Sequence, residues 1–330
     1  MSKVLVTGAN GFLGSWLVRT LNEQGHEVSI LARKSSDLSE LEGLEYKTFF
    51  GDVTQPETLL QAFPGHETVF HLAGVVAYKK ADRPLMQKVN VGGTQNVLSA
   101  IVPTNVSKLV YLSSVVAIGA GLSPKQVLDE DSSFNIHHLD LGYFETKHDG
   151  ELLVRAACDL KKVDAVILNP STIYGPGDAK KGSRKTQLKV AQGKFPFYTN
   201  GGVNVVDVDD CISGILAAWK KGRTGERYIL AGENITIQDL FKLIAESAGV
   251  PAPSKRLPPW ALYSLGWIGD RMTAVGLKGP VSMENAYTSQ MYHWFDNSKA
   301  VRELGFQARP ARKAIEKSVG WMREQGLLQR

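Results

Sequence analysis

A tyrosine and a lysine four residues apart form a candidate acid–base pair near the middle of the 330-residue chain. A spacing of four places Tyr143 and Lys147 on one face of a helix, where the ammonium can lower the pKa of the phenol from its ordinary value of about 10. Such a phenol can give or take a proton at a carbonyl or carbinol oxygen, and the Ser114 hydroxyl, at the end of the run LVYLSS, can hold the same oxygen. These residue types predict proton transfer at a C–O centre if the fold brings them together.

Three glycines near the N-terminus predict a dinucleotide site. They follow the apolar run KVLVT and open a helical pattern. Their spacing permits a tight turn, close approach of the backbone to a pyrophosphate, and close packing of helix on strand, while the free N–H groups of the helix start bind the anion. The cofactor-binding residues predicted in this turn are Gly8, Asn10, Gly11, Phe12, Leu13 and Gly14.

The residues after the second predicted strand favour NADP(H) over NAD(H). An acid at this point would accept hydrogen bonds from the ribose hydroxyls, whereas a cation accommodates a 2′-phosphate. The sequence has Arg33 and Lys34 immediately after Ala32, and Asp37 comes several residues too late to replace the acid. NADP(H) is therefore the predicted cofactor, with NAD(H) as the alternative.

Other strand ends supply further candidates for the same groove. Asp52 and Val53 follow the third strand, where the carboxylate can accept a hydrogen bond from the adenine amino group. Leu72, Ala73 and Gly74 follow the fourth, where small residues let the backbone pass close to a ribose. Ser113 ends the fifth strand beside Ser114. Because the carboxyl ends of parallel strands share one edge of a sheet, these residues are expected to face one ligand.

Short apolar runs alternate with amphipathic helical patterns through the first half of the chain. Continuous apolar runs are typical of parallel strands buried on both faces, so the predicted fold is α/β, a Rossmann-type doubly wound parallel sheet. Regular alternation stops near residue 173. We predict a dinucleotide-binding domain over residues 1–173, to which 204–220 returns, and a smaller, mainly substrate-binding lobe over 174–330. The predicted strands are Lys3–Thr7, Glu27–Ala32, Leu44–Phe50, Thr68–Leu72, Lys108–Ser113 and Asp164–Asn169.

These motifs together resemble the extended short-chain dehydrogenase/reductase family over most of the chain. The matching segments are TGANGFLG, GDV, HLAG, NVGGTQNV, YLSSVVAIG, YFETK and NPSTIYGPGD. The resemblance implies that Ser114, Tyr143 and Lys147 are the catalytic set and that Lys147 also contacts the nicotinamide ribose. It further implies that Pro170 and Ile173 border the nicotinamide, that Asn90 has an architectural role, and that the chain can form a homodimer.

The sequence is compatible with two subfamilies, one of epimerases and dehydratases and one of reductases. The epimerase-like pattern usually has Arg-Pro before the Y-G-P-G turn and an acid after the second strand, whereas this chain has Asn169-Pro170 and the cations described above. Both departures resemble the branch of dihydroflavonol 4-reductase, cinnamoyl-CoA reductase and 3β-hydroxysteroid dehydrogenase. The leading hypothesis is an NADP(H)-dependent oxidoreductase acting on a ketone or aldehyde, or the matching alcohol, of a moderately apolar small molecule. The alternative is an NAD-dependent nucleotide-sugar epimerase or dehydratase that retains its cofactor.

Two segments of the second half indicate different substrates. The aromatic segment from Trp260 to Met272 could cover a flat apolar substrate, pack on the core, or form an oligomer contact. The basic run from Lys180 to Lys194 could face a phosphate-bearing substrate or form a solvated surface.

Composition narrows the class of protein. The chain is 43% hydrophobic and 22% charged, as in an average soluble globular protein, and its net charge of +5 does not by itself imply a nucleic-acid partner. Two cysteines and no recognisable export signal or membrane span predict a cytoplasmic protein. His137, His138 and His148 lack further ligands at a recognised spacing, so no metal site is predicted.

Overall fold

Seven parallel strands form the central sheet of the computed structural model, which describes residues 1–180 and 184–328. The strands are β1 Lys3–Thr7, β2 Glu27–Ala32, β3 Lys47–Phe50, β4 Thr68–His71, β5 Lys108–Leu112, β6 Ala165–Pro170, β7 Thr172–Tyr174, β8 Phe197–Tyr198, β9 Gly202–Asp207, β10 Arg227–Leu230, β11 Glu233–Thr236 and β12 Lys255–Arg256. The helices are α1 Phe12–Glu23, α2 Pro56–Ala62, α3 Arg83–Met86, α4 Gly93–Thr104, α5 Gly142–Asp159, α6 Lys185–Ala191, α7 Val208–Lys221, α8 Ile237–Ala248, α9 Pro259–Ala274, α10 Met283–Thr288, α11 Ser298–Leu304 and α12 Ala311–Glu324.

The strand order in the central sheet is β3-β2-β1-β4-β5-β6-β10, and every neighbouring pair is parallel. The chain winds outward from β1 in both directions, so the order reverses between β1 and β4. Ligands of such sheets bind at this reversal, beyond the carboxyl ends of the strands. The predicted doubly wound α/β fold is confirmed, and all six predicted sheet strands are present to within a few residues.

Helices bury both faces of the sheet, and successive side chains of each strand point to opposite faces. Val4 and Val6 of β1 pack with α1 and α7 on one face, whereas Leu5 packs with α2, α4 and α5 on the other. Since every strand position meets a helix layer, the central strands are apolar throughout, which is the pattern that made them recognisable in the sequence.

The segment 204–220 contacts the central sheet through its helix and not through its strand. β9 pairs with β11 and β7 in a separate three-stranded sheet, while α7 packs against the face that also holds α1. The strand that extends the central sheet, β10, follows α7 and pairs with β6. The boundary near residue 173 and the role given to each half stay predictions.

A third apolar cluster lies in the second half of the chain, where α8 and α12 pack on the three-stranded sheet. Within the described part of the chain, no helix has both the length and the apolarity needed to cross a bilayer.

Candidate functional site

The turn between β1 and α1 approaches the end of β4 so closely that only glycine fits. Gly8 has φ +72°, and a methyl group there would lie 2.6 Å from the Ala73 nitrogen. Gly11 precedes the first residue of α1, and its N–H donates to the Gly8 carbonyl at 3.0 Å. A methyl group at Gly14 would overlap the Gly8 carbonyl oxygen. The turn therefore leaves an open backbone cradle at the strand reversal, which fits the pyrophosphate of a dinucleotide.

A cavity of about 180 Å³ extends from this cradle across the ends of β2 and β3. Its lining includes Arg33 but not Lys34, although both side chains are exposed. Asp52 lies at its edge, with one carboxylate oxygen accepting a hydrogen bond from the Thr54 N–H at 2.9 Å. The predicted cofactor residues that line this cavity are Gly8, Asn10, Arg33, Asp52, Val53, Ala73 and Gly74.

A larger cavity of about 910 Å³ continues from Gly8 and Gly74 into the second half of the chain. The predicted residues Gly11, Phe12, Leu13, Gly14 and Leu72 line it. Opposite them lie apolar side chains from several elements, namely Phe195, Phe197, Tyr198, Phe241, Leu257, Leu262 and Val281. Lys185 and Lys189, from the predicted basic run, also line the cavity. Lys181 of that run lies outside the described residues. The walls thus combine apolar side chains with polar ones, among them Thr199, Asn285 and Thr288, and with two cations on one face of α6.

Ser114 and Tyr143 meet at the end of β5. Both residues are brought there by neighbouring elements, Ser114 by the turn after β5 and Tyr143 by the first turn of α5. Burial raises the pKa of the Tyr143 phenol above its ordinary value, while its contact with the Ser114 hydroxyl lowers it. The phenol is therefore protonated at neutral pH. The expected lowering of this pKa by Lys147 is not the dominant effect here, because burial outweighs the favourable contacts of the phenolate.

The Lys147 ammonium lies between β5 and β4. Its Nζ donates a hydrogen bond to the Leu112 carbonyl at 2.8 Å, and a methyl group at Gly74 would lie 3.8 Å from the same nitrogen. Burial lowers the pKa of Lys147 to about 8, while the Glu151 carboxylate raises it. The cation thus lies beside Gly74, which lines both cavities, although Ser114, Tyr143 and Lys147 themselves line neither.

The remaining predicted residues lie on or beside β5, β6 and β7 and line neither cavity. Ser113 is buried, and its hydroxyl has no hydrogen-bond partner in residues 1–180 and 184–328. A hydrogen bond from a bound group would satisfy such a buried polar atom, so Ser113 fits a ligand bound beyond the end of β5. Pro170 ends β6 and is buried, and Ile173 lies in the middle of β7.

Asn90 fixes the loop that follows β4. A π-helical turn over Gln87–Gly92 presents its side chain, which accepts a hydrogen bond from the Val75 N–H at 2.7 Å and donates to the Val75 carbonyl at 3.0 Å. The same amide donates to the Thr146 hydroxyl at 3.1 Å. Asn90 thereby ties the loop to α5, the helix that carries Tyr143 and Lys147, which agrees with an architectural role.

A buried polar network holds the backbone carbonyl of Ser114. The Asn169 amide donates to the Ser114 carbonyl at 2.9 Å and to the Glu151 carboxylate at 2.7 Å, and Arg227 forms an ion pair with Glu151 at 3.2 Å. Glu151 was not predicted, although its spacing of four from Lys147 offered a signal. Arg227 lies on β10, and no local pattern relates it to α5.

Tyr78 is a second cavity residue that was not predicted. It lines the larger cavity, and its ring packs edge-on against the Tyr143 ring with centroids 5.9 Å apart. It belongs to an irregular segment after β4, where no periodicity distinguishes it. Within the described residues, no group of three or more candidate ligands is placed to hold a metal.

Comparison with known proteins identifies relatives over the whole length. Residues 4–231 match the model of the NAD dependent epimerase/dehydratase family. A Synechocystis protein provisionally named dihydroflavonol 4-reductase is 34% identical, with 97% of this chain and 94% of the relative covered. A 2-alkyl-3-oxoalkanoate reductase of Stenotrophomonas maltophilia is 28% identical, with 92% and 94% covered. Among solved structures, gox2253 is 35% identical over 100% of both chains, with a TM-score of 0.88.

Proposed function

Since the chain belongs to the NAD-dependent epimerase/dehydratase family and is an oxidoreductase using a nicotinamide cofactor, we propose that it reduces a ketone or aldehyde of a moderately apolar small molecule with NADPH. The observation that carries the proposal is the contact of Ser114 with the buried Tyr143 phenol at the end of β5, where the Tyr143 ring packs against Tyr78 of the larger cavity. Two relatives support it, because both are named as reductases.

Three side chains would act on the substrate and the cofactor. A bound nicotinamide supplies the hydride. Tyr143, protonated at neutral pH, gives a proton to the substrate oxygen, and the Ser114 hydroxyl hydrogen-bonds that oxygen as its charge grows. Lys147 holds the ribose through its ammonium, since Nζ lies beside Gly74 at the end of β4. The apolar side chains of the 910 Å³ cavity would bind the body of the substrate.

A panel of carbonyl compounds tests the proposal. Purified protein with NADPH should consume the cofactor, seen as loss of its absorbance, with apolar ketones or aldehydes and not with nucleotide sugars. The nucleotide-sugar alternative requires the opposite behaviour, with NAD retained through gel filtration and no net cofactor consumption. A protein that isomerises a nucleotide sugar with bound NAD and reduces no carbonyl would refute the reductase.

Arg33 should determine cofactor preference. It lines the smaller cavity at the end of β2, where a cation can pair with a 2′-phosphate. Arg33→Ala should raise the Kd of NADPH about tenfold, the value of one charge-assisted hydrogen bond, and leave the Kd of NADH nearly unchanged. Equilibrium titration of both cofactors measures this. Lys34→Ala is the matched control, because Lys34 is equally exposed but does not line the cavity. Equal affinity of the parent protein for both cofactors would contradict the preference.

Cofactor binding should weaken above about pH 8. The pKa of Lys147 is lowered by burial to about 8, so the ammonium is charged below this pH and loses its proton as the pH rises through it. If the charged form binds the ribose, the Kd of NADPH should rise by up to about tenfold per pH unit above this point. Titrations from below to above pH 8 test this. Lys147→Arg keeps a charge throughout and should flatten the profile, whereas an equally steep profile in that variant would exclude Lys147 as the titrating group.

A further inference from the structure

One face of α9 exposes an unusual group of large apolar side chains. Trp260, Trp267 and Ile268 are 72%, 56% and 43% exposed, and Val275 and Leu277, just beyond the helix, are 74% and 58% exposed. The steps of seven and eight residues from Trp260 to Trp267 and Ile268 keep these side chains on the same side of a helix with 3.6 residues per turn. We call these five residues the α9 face.

The opposite side of α9 is packed against the protein. Leu262, Gly266 and Gly269 are buried, and a methyl group at Gly266 would lie 3.1 Å from the Ala286 Cβ in α10. Leu262 lines the larger cavity, as do Leu257 before the helix and Pro280 and Val281 after it. A single helix therefore separates the apolar cavity from the α9 face.

The charged residues of the segment that carries the α9 face are mostly positive. The segment 251–283 contains Lys255, Arg256, Arg271 and Lys278, all exposed, and one acid, Asp270. Asp270 is only partly exposed and accepts a hydrogen bond from the Met283 N–H. The Arg271 guanidinium lies 5.2 Å from the centroid of the Trp267 ring. Tryptophans beside cations on one helix face are suited to the interface of a bilayer, where the rings enter the headgroup region and the cations meet anionic lipids.

We propose that the α9 face binds the surface of membranes that contain anionic lipids, with α9 lying along the interface. The complementary charge favours a lipid surface over a second copy of the chain, because two copies facing each other through this patch would bring Arg271 and Lys278 of each copy, four cations, together. Docking in this way places the cavity-lining residues that flank α9 next to the bilayer. An apolar compound dissolved in the lipid would therefore have a short path into the cavity.

Vesicle flotation tests the proposal with the full chain. The protein should float with vesicles of phosphatidylcholine and phosphatidylglycerol, float less with phosphatidylcholine alone, and lose binding at high salt. The double variant Trp260→Ser/Trp267→Ser should reduce the partition coefficient by at least about tenfold. Leu122→Ser/Leu160→Ser is the matched control, because these side chains are 57% and 65% exposed elsewhere on the surface, and it should bind vesicles like the parent.

The double variant should keep the stability and the oligomeric state of the parent. Its melting temperature and its elution in gel filtration should be unchanged, since both tryptophans are mainly exposed. Absence of vesicle binding, equal binding by the double variant, or a variant that changes the oligomeric state instead would overturn the proposal. Because flotation needs neither cofactor nor substrate, its failure leaves the proposed reductase untouched, and failure of the carbonyl panel leaves the membrane proposal untouched.

Discussion

Replacing Tyr143 with phenylalanine should lower kcat for carbonyl reduction by about 10²- to 10⁴-fold, the usual contribution of a general acid. The variant keeps the ring, which packs against Tyr78 with centroids 5.9 Å apart, and loses only the hydroxyl that contacts Ser114. The shape of the cavity and the affinity for NADPH should therefore be retained. Steady-state turnover and an equilibrium titration of the cofactor measure the two quantities separately.

Tyr228→Phe provides the control for the loss of a buried phenol. Tyr228 is fully buried on β10, and its hydroxyl donates to the Glu303 carboxylate at 2.8 Å, remote from both cavities. This variant should lose some stability and keep its kcat. If Tyr143→Phe retained more than about a tenth of the parent turnover, Tyr143 would not be the general acid and the proposed mechanism would be wrong.

Replacing Gly8 with alanine should raise the Kd of NADPH about 100-fold or more. Alanine at φ +72° is strained, and its methyl group would lie 2.6 Å from the Ala73 nitrogen, so the turn must move away from the end of β4. That movement displaces the backbone N–H groups that would bind the pyrophosphate, and each lost hydrogen bond to a charged group is worth about 1.5–3 kcal/mol. Fluorescence titration of NADPH measures the change.

Gly25→Ala separates backbone strain from the loss of the cradle. Gly25 has φ +74°, nearly the value at Gly8, but a methyl group there meets nothing within 4 Å. Both variants should lose about 1 kcal/mol from the strained conformation, and only Gly8→Ala should lose cofactor affinity. Unchanged affinity in Gly8→Ala would show that the turn after β1 does not bind the dinucleotide.

Much of the fold was predictable because its signals are local. Continuous apolar runs identified the six sheet strands of the first half, and the glycine spacing located the turn between β1 and α1. These features arise from backbone sterics and from burial on both faces of a sheet, and both leave a pattern within a few residues. Local signals did not reveal which sheet β9 joins, because apolar strands look alike whichever sheet they belong to, and here β9 pairs with β7 and β11.

The residue types of the site followed from the sequence by itself, namely a phenol and an ammonium four residues apart, serines at a strand end and a glycine turn. Only the tertiary structure decided their environment. Desolvation raises the pKa of Tyr143 and lowers that of Lys147, and it depends on how many elements close over each group. Packing between distant segments likewise decided that Asn169 contacts Ser114, that Arg227 contacts Glu151, and which side of α9 faces outward. Spacing along the chain does not encode such packing.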